Sequence, residues 1–484
     1  MSDAIMGGSS QAGRVRCALA AVLLVGVSLV AVDSVSAATV GCGAVLTRDT
    51  TLSSDIGPCP DDGVVVASDN ITLDLNGHTI SGDPFARAAE DKAGVRLRRV
   101  RGVTVQDGTV ECFDAGVAII GGEGNVVRAI TARDNVNYRV VTGRNASGED
   151  MDWELGPFCD FGDGIAVFDS DDNLIEDNVV TGNGPYSGIS LVSGADENQV
   201  RNNDVNDNDI LNQPPSGVEG TVCGGDPDEV GPLGRHVQDS GIRIEGPSAQ
   251  RNVIEQNQLH RNALAGVMIT AFRLEFPEAN NGFNVIRDNT ISQTGLRTHH
   301  LVGQPPFADS YRSSGITVHN AGTEAVHISY GNIIEGNNSS ENFGAGIELT
   351  GVFPGSGQVG QFGNTIRDNI ADDNFLDGIH LAEGNVNTTV TGNSAHGNGR
   401  NDALIDEVTA GDPFSVWHGV DGADLNPRCD NNQWSFNRFG TVNQRCVASQ
   451  GTGRVEGPRP RPAASAPSSS PLPAPPSTAR RVFQ

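Results

Sequence analysis

Short apolar islands of two or three residues alternate with asparagine and glycine between residues 100 and 400. One half of the repeat reads Asn-x-Ile/Val-x-x-Asn, and the other half reads Gly-Ile/Val-x-aliphatic. Apolar side chains at every second position indicate β-strands, because a helix would need a period of about 3.6 residues. The pattern therefore predicts a succession of very short strands separated by sharp turns.

The repeat length predicts how these strands are organised. The clearest copies of the first half-repeat are Asn173–Asn178, Asn198–Asn203, Asn252–Asn257, Asn284–Asn289, Asn332–Asn337 and Asn364–Asn369. The second half-repeat begins at Gly116, Gly164, Gly188, Gly241, Gly266, Gly315, Gly346 and Gly378. Without insertions the period is 24 or 25 residues, which suffices for three short strands and three turns. Each period is then one coil of a solenoid, and stability comes from the stacking of coils.

Stacked coils would pair their strands in parallel about 4.8 Å apart, with asparagine side chains forming amide ladders. Asparagine and glycine are expected at the corners because both tolerate a left-handed backbone. The recurring leucines of leucine-rich repeats and the glycine–aspartate signature of calcium-binding β-rolls are absent, and the left-handed hexapeptide helix has a shorter period. The predicted fold is all-β, a single right-handed parallel β-helix.

These repeats resemble the right-handed parallel β-helix proteins of the pectate-lyase-like superfamily, in particular the NosD-like repeat group. The segment Asn70–Ile80 looks like the first coil of exported bacterial members, and Cys429–Cys446 is similar to their C-terminal closure. The resemblance covers roughly residues 40 to 447. It implies the fold and not one activity, because the superfamily includes lyases, hydrolases, epimerases and non-catalytic surface proteins.

The two ends of the chain have compositions of their own. Arginines precede an uncharged apolar run from Cys17 to Val32, and small residues follow it, which is typical of a secretory signal. We therefore expect a signal peptide over 1–37, a folded domain over 38–450, and a secreted or periplasmic bacterial protein without a membrane span. Residues 451–484 are rich in Pro, Ala, Ser and Arg, which predicts a disordered tail.

Seven cysteines follow the signal, and in an exported chain they are expected to form disulfides. The predicted pairs are Cys42–Cys59 and Cys429–Cys446, which would fasten the two ends, and Cys159–Cys223 in two insertions. Cys112 would then remain a thiol. No zinc-type spacing of Cys or His is present, so no metal site is predicted.

The net charge of −28 limits the partners. Nucleic acid is disfavoured, because its binding depends on Lys and Arg contacts to phosphate. Acidic polysaccharides are disfavoured too unless an arginine cluster or a divalent cation intervenes. Calcium is the candidate ion, and no cofactor is otherwise identified. We expect a monomer.

Insertions interrupt the repeat beside the Gly-Ile/Val-x-aliphatic strands, at 142–163, 209–240, 271–283, 296–314 and 350–363. Loops on both sides of one sheet would form a groove, and the resemblance implies a polysaccharide there. By alternation, the side chains that point outward into this groove include Arg243, Glu245, Thr317, His319, Glu348 and His380. Glu348 and His380 should be neighbours on adjacent coils, His319 one coil away, and Arg243 further along.

A carboxylate, two imidazoles and an arginine on one floor suit proton abstraction beside a sugar carboxylate. The predicted catalytic residues are His319, Glu348, His380 and Arg243, with Glu245 and Thr317 in the groove. A solvated polar face is the simpler alternative. The glycosidase and alginate-epimerase motifs of the superfamily are absent, so an enzyme would be a polysaccharide lyase or uronate epimerase rather than a hydrolase. A non-catalytic surface or cell-envelope solenoid is the second hypothesis.

Overall fold

Stacked coils of short parallel strands make up the part of the chain that the structure describes. The computed structural model describes residues 40–83, 92–136, 162–184, 186–208, 240–246, 248–270, 281–295, 314–319, 329–351, 359–400, 416–448 and 453–456. All of these residues belong to one compact unit, Ala37–Gln484. Every named strand pairs in parallel with the strand of the next coil, which confirms the predicted β-helix.

The Gly-Ile/Val-x-aliphatic half-repeats form one 14-stranded sheet, called sheet A here. Its strands are Ala44–Leu46, Val64–Val66, Ala93–Arg98, Ala115–Ile120, Asp163–Phe168, Ser187–Val192, Ser240–Glu245, Ala265–Thr270, Ser314–His319, Ile347–Leu349, Ile379–Leu381, Gly422–Asp424, Thr441–Val442 and Arg454–Val455.

The Asn-x-Ile/Val-x-x-Asn half-repeats and the residues after them form two further rows of strands, called sheet B. The first row is Thr50–Thr51, Thr72–Asp74, Leu174–Glu176, Gln199–Arg201, Val253–Glu255, Val285–Arg287, Ile333–Glu335, Thr365–Arg367, Thr389–Thr391 and Gln433–Ser435. The second row is Ile56–Cys59, Thr79–Gly82, Val179–Thr181, Asp204–Asn206, Gln258–His260, Thr290–Ser292, Asn338–Ser340, Ser394–Ala395 and Arg438–Phe439. Two longer strands, Thr104–Glu111 and Val126–Arg133, run through both rows.

A short ladder of two-residue strands lies at the corner between sheet A and the first row of sheet B. This corner ladder consists of Asn281–Gly282, Ser329–Tyr330, Gln361–Phe362 and Asn385–Val386. Near the C-terminal end, a single 3-10 turn, Pro427–Cys429, precedes the last coil. No described helix is long and apolar enough to cross a membrane.

The core is a column of aliphatic side chains that fills the inside of the coils. Ile347 and Leu349 of sheet A belong to it, as do Ile334 and Ile366 of sheet B. The residue between two core residues of a strand points to the other side of the sheet, as the period of two requires. Alternation therefore assigns the inward and outward positions as predicted.

Three asparagine ladders run along the corners and confirm the predicted amide stacks. Asn203 is representative, with its Nδ2 donating to Asn257 Oδ1 at 3.0 Å and its Oδ1 accepting from Asn178 Nδ2 at 2.9 Å. The ladders comprise Asn125, Asn173, Asn198, Asn252, Asn284, Asn332 and Asn364; Asn178, Asn203, Asn257, Asn289, Asn337, Asn369, Asn393 and Asn437; and Asn135, Asn183, Asn208 and Asn262, continued after Thr294 by Asn342, Asn374 and Asn398. These buried amides connect coil to coil inside the protein.

The left-handed residue at each corner is the one before the ladder asparagine, and this corrects our expectation. Asp177, Asn202, Gln256 and Asp288 precede ladder asparagines and have φ between 54° and 57°. The ladder asparagines themselves are not left-handed. Asparagine recurs at the ladder positions because of its amide contacts. The left-handed position before it accepts several types of side chain.

The two predicted end disulfides are present. Cys42 bonds to Cys59, and Cys429 bonds to Cys446, each over a sequence separation of 17 residues. Cys112 is also disulfide-bonded, so the prediction of a free thiol is wrong, and its partner lies outside the described residues. The predicted Cys159–Cys223 pair lies outside them as well.

The predicted boundary of the C-terminal tail requires a correction. Arg454–Val455 pairs in parallel with Thr441–Val442 and is the last strand of sheet A. The open edge of a sheet offers unpaired backbone groups, which explains why a segment of low apolar content adds a strand there. The rest of the predicted tail, and the predicted signal peptide, lie outside the described residues.

Four of the five predicted insertions fall almost wholly outside the described residues, and the fifth, 350–363, is described except for 352–358. The described chain breaks off only next to sheet A strands or at the corners that adjoin them. Further breaks at 84–91, 320–328 and 401–415, which the repeat pattern does not mark as insertions, have the same position.

Candidate functional site

Outward side chains of sheet A form a continuous row across consecutive coils. Strand register aligns Arg243 with Met268, Met268 with Thr317, Thr317 with Glu348, and Glu348 with His380. Glu348 and His380 are therefore direct neighbours, and His319 is two residues beyond Thr317 on the preceding coil. We call Thr317, Glu348 and His380, with Asp377, the polar row.

Burial of this row differs from the exposed groove floor that we expected. Thr317, Glu348, His380 and Asp377 are completely buried although none belongs to the aliphatic core. Other side chains cover the outer face of the sheet, and one of them is Trp417, whose ring lies 4.2 Å from the His380 ring. The row is thus a polar layer enclosed by protein.

His380 is held by a carboxylate and by an aromatic ring. Its Nδ1 lies 2.7 Å from Asp377 Oδ2, and the other Asp377 oxygen accepts the Val420 backbone N–H at 2.8 Å. Trp417 packs on the ring at an interplanar angle of 34°. A carboxylate that orients an imidazole beside a second carboxylate is an arrangement suited to proton transfer.

Glu348 is held by the strand of the preceding coil. Ser314 donates its hydroxyl to Glu348 Oε2 at 2.9 Å and accepts the Ala345 backbone N–H at 3.1 Å. Thr317 lies between Met268 and Glu348 in the strand register. Its hydroxyl has no hydrogen-bond partner in the described part of the chain. A buried hydroxyl without a partner is costly unless a ligand or water supplies one.

His319 is the accessible member of the predicted set. Its ring is partly exposed, and its Nδ1 lies 3.2 Å from Thr350 Oγ1. The Gln361 side chain donates to the Thr350 and Val318 carbonyls, both at 2.7 Å, and so joins the corner ladder to this end of sheet A. His319 therefore lies at the rim of the polar row and not within it.

Arg243 and Glu245 form a separate buried cluster with Tyr186. Arg243 Nε and the Tyr186 hydroxyl both donate to Glu245 Oε2 at 2.5 Å, and the guanidinium lies 4.7 Å from the Tyr186 ring centre. Burial and the Glu245 carboxylate hold the pKa of Tyr186 well above its usual value. Burial lowers the pKa of Arg243, but Glu245 and Tyr186 together raise it more. All three groups satisfy one another.

The register separates this cluster from the polar row. Arg243 lies three coils from Glu348, which corresponds to about 14 Å at the usual strand spacing. Its guanidinium is also already paired with Glu245. Arg243 therefore does not lie where it would offset a ligand carboxylate beside His380.

Sequence reasoning missed the roles of three residues. Asp377 directly precedes Gly378, at a position where the repeat indicates only a turn, yet its carboxylate contacts His380. The signal was its position, three residues before an outward histidine. Tyr186 and Trp417 lie outside the strands and had no pattern to identify them. Among the described residues no group of three or more His, Cys, Asp or Glu side chains is arranged to hold a metal ion.

Comparison with a family model gives an extended match. The model described as a right-handed β-helix region matches residues 41–224, 158–328 and 235–433. These overlapping matches cover the coils of sheet A that carry both the polar row and the Arg243 cluster. No curated protein sequence matches this chain with significance.

Several solved structures show a distant similarity. Dettilon tailspike protein has a TM-score of 0.42 and 17% identity, over 73% of this chain and 56% of the tailspike. The catalytic domain of a GH87 α-1,3-glucanase in complex with tetrasaccharides has a TM-score of 0.41 and 11% identity, over 81% of this chain and 62% of the glucanase chain. A double mutant of the periplasmic alginate epimerase AlgG has a TM-score of 0.39 and 10% identity, over 72% of this chain and 74% of the epimerase chain. This chain thus spans little more than half the length of the tailspike.

Proposed function

The chain belongs to the right-handed β-helix family, and we propose that it is an exported protein that binds an extended polysaccharide along sheet A. The polar row is the proposed centre of this site, and the side chains that cover it, Trp417 among them, would have to move aside for a sugar to reach it. The NosD-like subgroup, suggested by the repeats, is part of the same proposal.

The observation that carries the proposal is the enclosed polar row. Burying Asp377, His380 and Glu348 costs free energy, because ionisable groups lose hydration that packing does not return. Ala423, which follows His380 in the register, shows that an apolar residue fits such an outward position. Polar groups kept where apolar ones would stabilise the fold are typical of functional sites.

The chemistry of the row favours a ligand rich in hydroxyl groups. Thr317 has a buried hydroxyl without a partner among the described residues, Glu348 has carboxylate oxygens that accept hydrogen bonds, and the His380 ring is oriented by Asp377. Sugars donate and accept hydrogen bonds with each hydroxyl. The extended, repetitive sheet suits a chain of sugars lying across several coils, with partly exposed His319 at the rim.

In the catalytic version of the proposal, His380 removes the proton beside a uronate carboxylate. Asp377 orients the ring and stabilises the imidazolium that forms. Departure of the C4 oxygen, protonated by the imidazolium or by water, would leave a C4–C5 double bond, whereas delivery of a proton to C5 from the opposite face by a second acid or water would give the epimer. Arg243 does not take part at this centre, and neutralisation of the ligand carboxylate would require a divalent cation such as calcium.

Export is proposed from the N-terminal residues and from the cysteines. The apolar run after Arg16 has the features of a secretory signal. Disulfides such as Cys42–Cys59 persist in oxidising compartments. A secreted or periplasmic location agrees with both.

The test uses purified full-length protein and uronate polymers, with and without calcium. Affinity electrophoresis in gels that contain alginate or polygalacturonate measures binding, absorbance measures unsaturated products, and proton NMR detects epimers. We expect wild-type protein to be retarded, and His380→Ala and Glu348→Gln to lose most of that retardation. Thr391→Ala, on the outer side of sheet B, is the folded control and should behave like wild type.

The outcomes separate the two versions. A loss of turnover of about a hundredfold or more in His380→Ala supports catalysis. If the two variants are retarded less than wild type and wild type forms no product, the result supports binding alone. If wild-type protein is not retarded by any uronate or neutral polysaccharide and forms no product, the proposed function is wrong.

A further inference from the structure

Three aromatic side chains are stacked on consecutive coils beside the polar row. The Phe283 and Tyr330 ring centres are 5.1 Å apart, edge to face, and those of Tyr330 and Phe362 are 5.4 Å apart, nearly parallel. Phe283 is 51% exposed and Phe362 is 41% exposed. Aromatic residues are only 5% of the chain, so three in one exposed column is not what composition alone would produce. We call Phe283, Tyr330 and Phe362 the aromatic column.

The backbone around the column makes room for the rings. A Cβ on Gly282 would lie 2.8 Å from Cζ of Tyr330, and a Cβ on Gly331 would lie 2.9 Å from Cδ1 of Phe283. The rings of Tyr330 and Phe283 therefore each lie over a glycine that no other residue could replace without a shift. The glycines of these coils therefore leave the space that the rings occupy.

Phe283 is unfavourable for the fold in two respects. Its φ is +57°, in the left-handed region that a bulky side chain rarely adopts. Its ring also leaves much apolar surface in water. The equivalent corner of other coils has Arg251, Gly331 or Asn387 at a similar φ, and none of these places an apolar ring in water. The exposed ring of Phe283 therefore indicates a role other than folding.

The column is connected to the rim of the proposed site. Phe362 follows Gln361, whose side chain bonds to the Thr350 carbonyl, and Thr350 Oγ1 contacts His319. The rings and the partly exposed imidazole thus flank the same end of the sheet A strands. An apolar surface beside polar groups matches a sugar ring, which has a C–H face and hydroxyl edges.

The exposed area excludes a second copy of the chain as the partner. An aromatic side chain has about 150–250 Å² of surface, so the exposed parts of Phe283 and Phe362 total on the order of 200 Å². A stable protein interface needs about 1,000 Å² or more. The patch therefore has the size of a small ligand unit.

We propose that the aromatic column is a subsite that stacks against a sugar ring of the polysaccharide as it passes His319. This inference rests on the proposed function and adds the face of the sugar that the protein recognises. Stacking requires a sugar with an uninterrupted C–H face, and it is independent of the charge of the sugar. The subsite would thus favour such rings in both neutral and acidic chains.

The experiment compares two phenylalanines that share the left-handed backbone. Phe283→Asn removes a ring of the column, and Phe436→Asn removes a ring that is 68% exposed, at φ +55° on the last coil, far along the sequence from the column. Both substitutions relieve the same strain. Affinity electrophoresis in gels with alginate, polygalacturonate or xylan measures binding, and thermal unfolding measures stability.

We expect Phe283→Asn to weaken the affinity for the retarding polysaccharide about three- to tenfold, while Phe436→Asn leaves it unchanged. Neither variant should unfold at a lower temperature than wild type. If Phe283→Asn binds as well as wild type, or if it alone unfolds several degrees lower, the column is packing and this inference is overturned. Wild-type protein that binds no polysaccharide would overturn the proposed function itself, so the two failures are distinguishable.

Discussion

The carboxylate of Asp377 lies 2.7 Å from Nδ1 of His380, and neither side chain is accessible to solvent. The second carboxylate oxygen accepts the Val420 N–H, so the Asp377 side chain cannot turn away. An ionised carboxylate accepts hydrogen bonds and donates none. A neutral His380 ring that donates its Nδ1–H to this carboxylate has Nε2 as its basic nitrogen.

Our first prediction is that neutral His380 is the Nδ1–H tautomer. Two-bond ¹⁵N–¹H correlation spectra of histidine-labelled protein report the tautomer, and His380→Gln assigns the signal. His78 is the control, because its Nδ1 lies 3.1 Å from the largely exposed Asp55 carboxylate and should show a tautomer mixture. A signal from His380 with the proton on Nε2 would contradict the proposed base, whatever ligand the protein binds.

The second prediction concerns the asparagine ladders. Asn337 Oδ1 accepts the Asn289 backbone N–H and Nδ2–H, and its Nδ2 donates to Asn369 and to the Ile286 carbonyl, all between 2.9 and 3.0 Å. Asn337→Ala leaves these buried groups without partners, and we expect it to lower the free energy of unfolding by about 3 kcal/mol.

Asn338 provides the matched control for that substitution. It is the next residue, it is exposed, and its Oδ1 accepts only the Ser340 hydroxyl among the described contacts. Asn338→Ala should change the free energy of unfolding by no more than about 0.5 kcal/mol. Urea unfolding of both variants measures the difference, and equal losses would mean that the ladder does not stabilise the coils.

The sequence predicts periodic features of this molecule and misses features that occur once. The strands, the ladders and the neighbours Glu348 and His380 all follow from a repeat that recurs every coil. Trp417 packs on His380 but lies just before the next strand of sheet A. That strand begins at Gly422, which pairs with Ile379 across 43 residues, so no short-range pattern identifies Trp417. The burial of the polar row depends on such single contacts, and alternation alone therefore predicted an exposed face.

A column of alternating charge runs along the first row of sheet B. The third residue after each first ladder asparagine alternates along six coils as Glu176, Arg201, Glu255, Arg287, Glu335 and Arg367. Arginine donates to the glutamate of the preceding coil, as Arg287 Nε does to Glu255 at 2.7 Å. If one coil were skipped, like charges would become neighbours, so the column selects the correct register.

The third prediction tests that column by reversing one charge. Arg287→Glu removes the bond to Glu255 and places three carboxylates on consecutive coils. We expect the free energy of unfolding to fall by about 1–2 kcal/mol at low salt, and the loss to shrink in about 1 M NaCl. Arg438→Glu, an exposed reversal on the second row of sheet B, should cost less than about 0.5 kcal/mol. A loss at Arg287 that salt does not reduce would contradict the electrostatic explanation.

The fourth prediction is a pH dependence at Asp134. Burial raises the pKa of this carboxyl to about 6; Arg133 lowers it and Glu111 raises it to smaller extents. Because the folded-state pKa lies above the unfolded value of 3.8, ionisation disfavours the folded state. The destabilisation is absent below about pH 3.8, grows as the pH rises towards 6, and stays constant above it.

Asp134→Asn removes this titration and keeps a residue that tolerates the left-handed φ of 53° at this corner. We therefore expect the variant to match wild type near pH 4 and to be more stable at pH 7.5, as measured by urea unfolding across that range. Asp55→Asn is the control of opposite sign, because the Thr79 backbone N–H and then His78 lower the pKa of Asp55. Its carboxylate stabilises the fold above pH 3.8 and loses that effect as the pH falls through its own pKa. A stability difference for Asp134→Asn that is the same at pH 4 and pH 7.5 would show that the carboxyl does not titrate between them.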